Sequence, residues 1–208
     1  MPDSHFLPSL TADAGTEDIE RILVVTAHPD DVDFGVAGSV AAWTDAAVDV
    51  AYCIATDGDA GGSDRSVSRA DMAVLRREEQ TEAAKVVGVT DVTFLGFPDG
   101  RLQPDLALRR AISGVIRRFR PDRVVAQSPE RNWSRIYASH PDHLAAGEAA
   151  ICAVYPDARN PFAFQSSRVA LSPPAHVNIF ILRISDRRVA GLVVKNCTHP
   201  ASPQLRTM

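Results

Sequence analysis

The sequence predicts an α/β protein, a Rossmann-like three-layer sandwich built around a mostly parallel sheet. Short runs rich in branched apolar residues alternate with segments of helical periodicity between residues 21 and 154. That alternation is typical of a parallel sheet that carries helices on both faces. In such sheets, ligands bind beyond the carboxyl ends of the strands. Polar side chains that directly follow a strand are therefore the first candidates for a functional site.

The individual elements are predicted from apolar runs and from capping residues. Strands are expected at 21–27, 48–55, 92–96 and 122–127, and helices at about 34–45, 68–88, 105–121 and 142–154. Ser68 with Asp71 resembles a capping box, which opens a helix that ends at Gly88. Asp105 can cap the following helix, and Pro121 ends it.

The length of 208 residues suits one domain with a buried core. Residues 1–20 lack the basic start and the apolar stretch of a signal peptide, so we predict a polar N-terminal tail. Residues 21–164 are predicted to form the α/β domain. Residues 165–208 are predicted to be an atypical C-terminal segment of the same domain or a loose tail, in which 176–185 could add a strand.

Composition argues against several classes of protein. The net charge of −4 leaves no broad basic field for nucleic acid or acidic lipid. Arg117, Arg118 and Arg120 do cluster, and we interpret them as a solvated helix face. No apolar run approaches the roughly 18 residues of a membrane span. The three cysteines form no CxxC pair, which argues against a disulfide framework or a thiolate zinc site and favours a cytoplasmic location.

Two clusters of histidine and aspartate follow predicted strands. AHPDD (27–31) comes directly after the first strand, and SHPDH (139–143) follows the fourth strand and opens a helix. Either cluster alone could be a turn or a helix cap, because Pro and Asp favour turns. Together they supply the nitrogen and oxygen ligands that zinc prefers, and a catalytic zinc keeps three protein ligands and one open position. The sequence therefore predicts a metal site at the carboxyl ends of the strands.

The paired HPDD and HPDH motifs resemble those of the LmbE-like or PIG-L family of zinc-dependent de-N-acetylases, over about residues 21–164. Weaker matches accompany them: TDGDAGG (56–62), Arg76 with Glu79, FPDG (97–100) and RPDRVV (120–125). TDGDAGG does not fit a GxGxxG nucleotide loop and is interpreted as a wall of the pocket. This sequence departs from the family pattern directly after HPDD. Many relatives carry Glu there, whereas Val32 and Asp33 follow here.

The resemblance implies a role for each motif residue. His28, Asp31 and His143 would bind zinc, and Fe2+ or Co2+ could replace it. Asp30 would be the general base for attack by a water on the metal. His140 would steady the developing oxyanion or protonate the leaving amine.

Three further polar residues have roles that the sequence leaves open. Arg76 and Asp99 would hold sugar hydroxyls according to the resemblance, but Arg76 could equally be a surface arginine paired with Glu78 or Glu79. Asp142 could orient a ligating histidine or cap the helix that begins beside it.

The function implied by the resemblance is hydrolysis of an N-acyl group, an N-acetyl group above all, on an amino sugar or glucosaminyl conjugate. The chain would be a metal-dependent amidohydrolase acting on a small molecule, with no nucleic acid or membrane partner and an oligomeric state left open. The alternative is a metal- and sugar-binding protein of the same fold with impaired catalysis. A metal-free nucleotide-binding domain is a third hypothesis, but it does not explain the two His/Asp clusters.

Overall fold

The structure is a computed structural model that describes residues 19–134, 136, 139–164, 177–185 and 188–194. Its strands are β1 (Arg21–Thr26), β2 (Asp49–Thr56), β3 (Asp91–Phe97), β4 (Arg123–Gln127), β5 (Asn178–Ser185) and β6 (Arg188–Val194). Its helices are α1 (Asp31–Gly35), α2 (Ala37–Asp45), α3 (Arg69–Val86), α4 (Leu106–Phe119) and α5 (Pro141–Cys152). A π-helical turn, Ala153–Asp157, extends α5.

The strands form one sheet in the order β3-β2-β1-β4-β5-β6. Neighbouring strands from β3 to β5 are parallel, and β6 pairs antiparallel with β5. This is the strand order of a Rossmann fold with its last strand reversed. The predicted α/β class and mostly parallel sheet are thereby confirmed.

Two apolar cores lie on opposite faces of the sheet. Alternate β1 residues point to opposite faces, so Ile22 packs with Trp43 of α2 and Ala84 of α3. Leu23 instead packs in a second core with Ile112 of α4 and Ala149 of α5. Strand β1 is buried on both faces, which explains its unbroken apolar run.

The predicted capping residues occupy their expected places. The Ser68 hydroxyl accepts a hydrogen bond from the Asp71 backbone N–H at 3.1 Å. The Asp105 carboxylate accepts one from the Leu108 N–H at 2.9 Å. Gly88 follows α3 with φ 79°, the left-handed conformation that glycine adopts at little cost.

The helix predicted at 34–45 is wrong in its start and its continuity. The Asp30 carbonyl accepts hydrogen bonds from the Asp33 and Phe34 N–H groups, so α1 begins at the HPDD motif itself. Val36 then leaves helical geometry with φ −144°, and α2 starts after it. The break allows α1 to stay with the motif while α2 packs its apolar side chains on the sheet.

The arginine cluster is a solvated face only in part. Arg117 is buried at 8% exposure, and its guanidinium donates hydrogen bonds to the backbone carbonyls of Asp157, Ala158, Asn160 and Ala163. The interpretation is therefore wrong for Arg117, because the chain that follows α5 folds across α4 and presents these carbonyls to it. Arg118 is half-exposed and donates to the Thr93 hydroxyl.

The C-terminal segment contributes a strand pair to the sheet. Strand β5 occupies most of the run at 176–185 that was expected to form a strand, whereas β6 was not predicted. The rest of 165–208 and nearly all of 1–20 lie outside the described residues, so the proposed domain boundaries stay predictions. No helix in the described part of the chain has both the length and the apolar character needed to cross a bilayer.

Candidate metal centre

The HPDD and HPDH motifs meet where the strand order reverses. From β1 the chain proceeds to β2 and β3 on one side, and then returns to β4 on the other side of β1. Ligands of such sheets bind in the crevice at this switch point, beyond the carboxyl ends of the strands. HPDD follows β1 and HPDH opens α5, so the fold brings together side chains that are 115 residues apart.

The three predicted metal ligands converge in this crevice. His28 Nδ1 lies 3.3 Å from His143 Nε2 and 3.5 Å from Asp31 Oδ2. His143 Nε2 lies 3.0 Å from Asp31 Oδ1. A tetrahedral zinc with bonds of roughly 2.0–2.2 Å places neighbouring ligand atoms about 3.3 Å apart. Each pair of these side chains thus approaches to a spacing close to that of neighbouring metal ligands, and Asp31 faces the two histidines through different oxygens.

The other nitrogen of His28 faces two carboxylates. His28 Nε2 lies 3.0 Å from Asp99 Oδ1 and 3.1 Å from Asp142 Oδ2. Asp142 is almost completely buried, and it also accepts hydrogen bonds from the backbone N–H groups of Gly100 and Leu102. The side chain that caps α5 is His140, whose Nδ1 accepts from the Asp142 N–H at 3.2 Å. Of the two roles left open for Asp142, the structure therefore places its carboxylate against the histidine.

More than one set of ligand atoms surrounds His28. Those of His28, Asp99 and Asp142 lie within 4.8 Å of one another, and so do those of His28, His140 and His143. Imidazole and carboxylate suit zinc, and imidazole also suits iron. The crevice thus offers a possible metal site made of histidine and aspartate.

The proposed ligands His28 and Asp31 have shifted pKa values, in opposite directions. Burial disfavours the charged form of His28, but hydrogen bonds and charges from Asp31, Asp99 and Asp142 outweigh it and raise the pKa of His28 to about 9. Burial also opposes ionisation of Asp31, yet His143 and His28 hold the pKa of that carboxyl well below its usual range. Metal ligands must be deprotonated to bind, so a metal ion and the His28 proton compete for this site.

The two adjacent aspartates of HPDD have different surroundings. The Asp31 side chain is 11% exposed among the histidines, whereas the Asp30 side chain is 44% exposed. Asp30 Oδ2 lies 2.8 Å from Arg76 Nη2, and Arg76 also donates to the Pro29 carbonyl. The described ion pair of Arg76 is with Asp30 and not with Glu78 or Glu79.

Two residues that contact the predicted site were missed in the sequence. Asp59, in the TDGDAGG loop, accepts a hydrogen bond from the Asp99 N–H at 2.9 Å, and Asp99 Oδ2 accepts from the Ala60 N–H. Gln80 accepts from the Asp30 N–H through its Oε1 atom. Gln80 lies four residues after Arg76, and this helical spacing is the signal that could have placed both on the same face of α3.

The segment that carries both motifs is similar to a known family of proteins. Residues 23–154 match the PIG-L family, described as GlcNAc-PI de-N-acetylase. The chain belongs to the PIG-L family. The resemblance inferred from the HPDD and HPDH motifs is thereby confirmed.

Relatives of this PIG-L chain carry deacetylase names. Diacetylchitobiose deacetylase from Thermococcus kodakarensis is 37% identical over 137 residues, which are 66% of this chain and 50% of that protein. A probable N-acetyl-alpha-D-glucosaminyl L-malate deacetylase 2 from Bacillus anthracis is 31% identical, over 76% of this chain and 72% of that protein. This chain therefore spans about half the length of the Thermococcus relative.

A solved structure shows the same fold. The N,N'-diacetylchitobiose deacetylase from Pyrococcus horikoshii, complexed with its inhibitor MPG, superposes with a TM-score of 0.73 at 31% identity. The match covers 79% of this chain and 60% of that one. The homologues thus include deacetylases of substrates that contain N-acetylglucosamine.

Proposed function

We propose that this chain is a metal-dependent N-deacetylase, which hydrolyses the acetamide of an N-acetylated amino sugar or glucosaminyl conjugate. The observation that carries the proposal is the convergence of His28, Asp31 and His143 at the switch point of the sheet. The names of the relatives supply the substrate class, because they refer to diacetylchitobiose and to an N-acetylglucosaminyl malate.

We assign the metal to His28 Nδ1, Asp31 and His143, with zinc as the proposed ion. A ligating histidine commonly donates its other N–H to a carboxylate, which fixes the ring. Asp99 and Asp142 fit that supporting role at His28 Nε2. Asp142 fits it best because two backbone N–H groups already bind its carboxylate. We prefer Asp31 as the carboxylate ligand because it lies with His143 on the Nδ1 side of His28, whereas Asp99 and Asp142 lie on the Nε2 side.

Asp30 is the proposed general base. A zinc ion bound here would polarise the substrate carbonyl and make an attacking water more acidic. Asp30 directly precedes the proposed ligand Asp31 in the chain, and its side chain is half-exposed and paired with Arg76. Arg76 binds its Oδ2, and we assign the proton from water to its other oxygen, a contribution of typically 10²–10⁴-fold in rate.

His140 is better suited to donate a hydrogen bond than to act as an acid. Its Nδ1 accepts the Asp142 N–H, so a neutral ring carries its proton on Nε2. Burial, together with the charge of His28, lowers the pKa of His140 and favours that neutral ring. We therefore propose that His140 steadies the developing oxyanion through Nε2–H.

Arg76 and Asp99 remain the proposed contacts for sugar hydroxyls. Arg76 presents a guanidinium beside Asp30, where a substrate hydroxyl could share it. Asp99 already uses one carboxylate oxygen on His28 and the other on the Ala60 N–H. Orientation of His28 is therefore the role of Asp99 that has more support.

The test is release of acetate from N-acetylglucosamine and diacetylchitobiose by the purified chain. We expect equal amounts of acetate and free amine, loss of both after chelation, and recovery when zinc is added back. His143→Ala, which removes a proposed metal ligand, is the negative control. Binding of metal and sugar without acetate release would favour the catalytically impaired alternative. Undiminished release after complete removal of metal would refute metal dependence.

A further inference from the structure

The backbone of Asp30 has an unusual conformation. Its φ of 81° and ψ of −22° lie in the left-handed region, which costs free energy for residues with a side chain. Such residues cluster at functional sites and persist only where the surroundings hold them in place. At Asp30 the turn separates two neighbouring carboxylates, since Asp31 reaches His143 while Asp30 reaches Arg76.

Helix α3 holds this turn with two side chains that are one helical turn apart. Arg76 donates from Nη2 to the Pro29 carbonyl and to the Asp30 carboxylate, at 2.8 Å in each case. Gln80 accepts the Asp30 backbone N–H through Oε1. The arginine thus binds the side chain of Asp30, and the glutamine binds its backbone.

Gln80 is a polar residue in a position that packing alone would fill with an apolar one. It is 2% exposed, and in α3 only Gln80 and Ala84 are buried to this degree. Among the described residues, its Nε2 atom has no partner of hydrogen-bond geometry. The Gln80 side chain also lies close to the Asp33 carboxyl. A buried amide is costly unless its polar atoms are hydrogen-bonded, and Oε1 of Gln80 is bonded to the Asp30 N–H.

We propose that Gln80 is a positioning residue, which holds Asp30 in its left-handed turn so that the base faces the reacting water while Asp31 stays on the metal. The proposal rests on the proposed function for the part that concerns the base. Removal of the acceptor leaves the Asp30 N–H without its partner, and the turn then relaxes towards conformations that direct the carboxylate elsewhere.

Gln80→Leu removes the acceptor at similar volume, whereas Gln80→Glu keeps an oxygen for the Asp30 N–H. Amide hydrogen exchange of a peptide that includes Asp30 should become faster in Gln80→Leu. In Gln80→Glu it should stay close to wild type, because burial beside Asp33 favours the neutral, protonated form of the new carboxyl, which still offers an acceptor oxygen. Ala84→Gly lies one turn further along α3 and loosens the helix without a contact to Asp30. This control should leave the exchange of that peptide unchanged.

Turnover then tests the link to the base. With N-acetylglucosamine and added zinc, Gln80→Leu should lose roughly 10–100-fold in kcat, with little change in KM or in bound zinc. In an Asp30→Asn background, the same substitution should cause no further loss, because the group that Gln80 positions is already gone. An equal loss in both backgrounds, or unchanged exchange at Asp30, would overturn the proposal. If the wild-type chain releases no acetate, the proposed function fails, and the exchange result alone decides whether Gln80 holds the turn.

Discussion

Asp30 and Asp31 are identical in chemistry, and only their surroundings separate their roles. Asp31 is nearly buried against two histidines, whereas Asp30 is half-exposed beside an arginine. Asp30→Asn is nearly isosteric but cannot accept a proton at neutral pH. We expect it to retain zinc and to lose roughly 10²–10⁴-fold in kcat, as measured by acetate release.

Asp31→Asn is the matched comparison for that variant. It replaces an anionic ligand by a weaker neutral one, so zinc affinity should fall first. Excess zinc should therefore restore part of the activity of Asp31→Asn and none of the activity of Asp30→Asn. The assignment fails if zinc rescues Asp30→Asn, or if elemental analysis finds the same loss of metal in both variants.

Gly147 allows helix α5 to pack closely against the end of β4. A Cβ at Gly147 would lie closer to the Gln127 carbonyl oxygen than real Cβ contacts allow, and would also press on the Pro129 nitrogen. Both obstacles are backbone atoms, so a shift of the helix is the available response. The N-terminal turn of this helix carries His140 and His143, which links its seating to the metal centre.

Gly147→Ala should therefore destabilise the fold by about 1–3 kcal/mol and weaken zinc binding, because α5 must move. Gly114→Ala, within α4, is the control, since nothing lies within 4 Å of its added Cβ. That change should be neutral or stabilise by about 0.5–1 kcal/mol through the higher helix propensity of alanine. Urea unfolding and zinc titration compare the two variants. Equal stability of both would show that α5 is not seated as tightly as the contact indicates.

At the scale of the whole molecule, local patterns predicted most of the elements. Apolar runs located β1 and β2, and the Ser68 and Asp105 caps located helix starts, because these signals depend on nearby residues. The order of strands in the sheet is a tertiary property, and the sequence predicted only that the sheet would be mostly parallel. Strand β6 was not predicted, because it follows β5 without a helix between them and pairs with it antiparallel, whereas the predicted pattern was an alternation of strands and helices.

In the candidate site too, some residues could be predicted from local motifs and others depend on tertiary packing. The motifs predicted His28, Asp31 and His143, and placement at strand ends predicted that they would meet. The sequence left two roles open for Asp142, and the packing of α5 decides between them. The contact between Gln80 and Asp30 depends on how α3 packs against the motif. The burial of Arg117 also depends on a segment 40 residues away, so the sequence indicated an ordinary surface arginine.

Arg117 connects α4 to the chain that follows α5. Its substitution tests how much this connection contributes to the stability of the fold. Arg117→Met keeps much of the apolar stem but leaves four backbone carbonyls without this donor. We expect a loss of about 3 kcal/mol, since buried hydrogen bonds to a charged group are costly to break. In a chain of this size that corresponds to a fall in Tm of roughly 6–12 °C.

Arg118→Met is the control for this change. Arg118 is the next residue of α4 and half-exposed, and its contacts within the described part of the chain are a hydrogen bond to Thr93 and a long ion pair with Asp91. Its substitution should change stability by no more than about 0.5 kcal/mol. Thermal unfolding of the metal-loaded chains compares the two variants under identical conditions. If Arg117→Met and Arg118→Met unfold at the same temperature, the carbonyl cluster does not hold the segment after α5, and the packing of that segment on α4 would have to come from its apolar contacts.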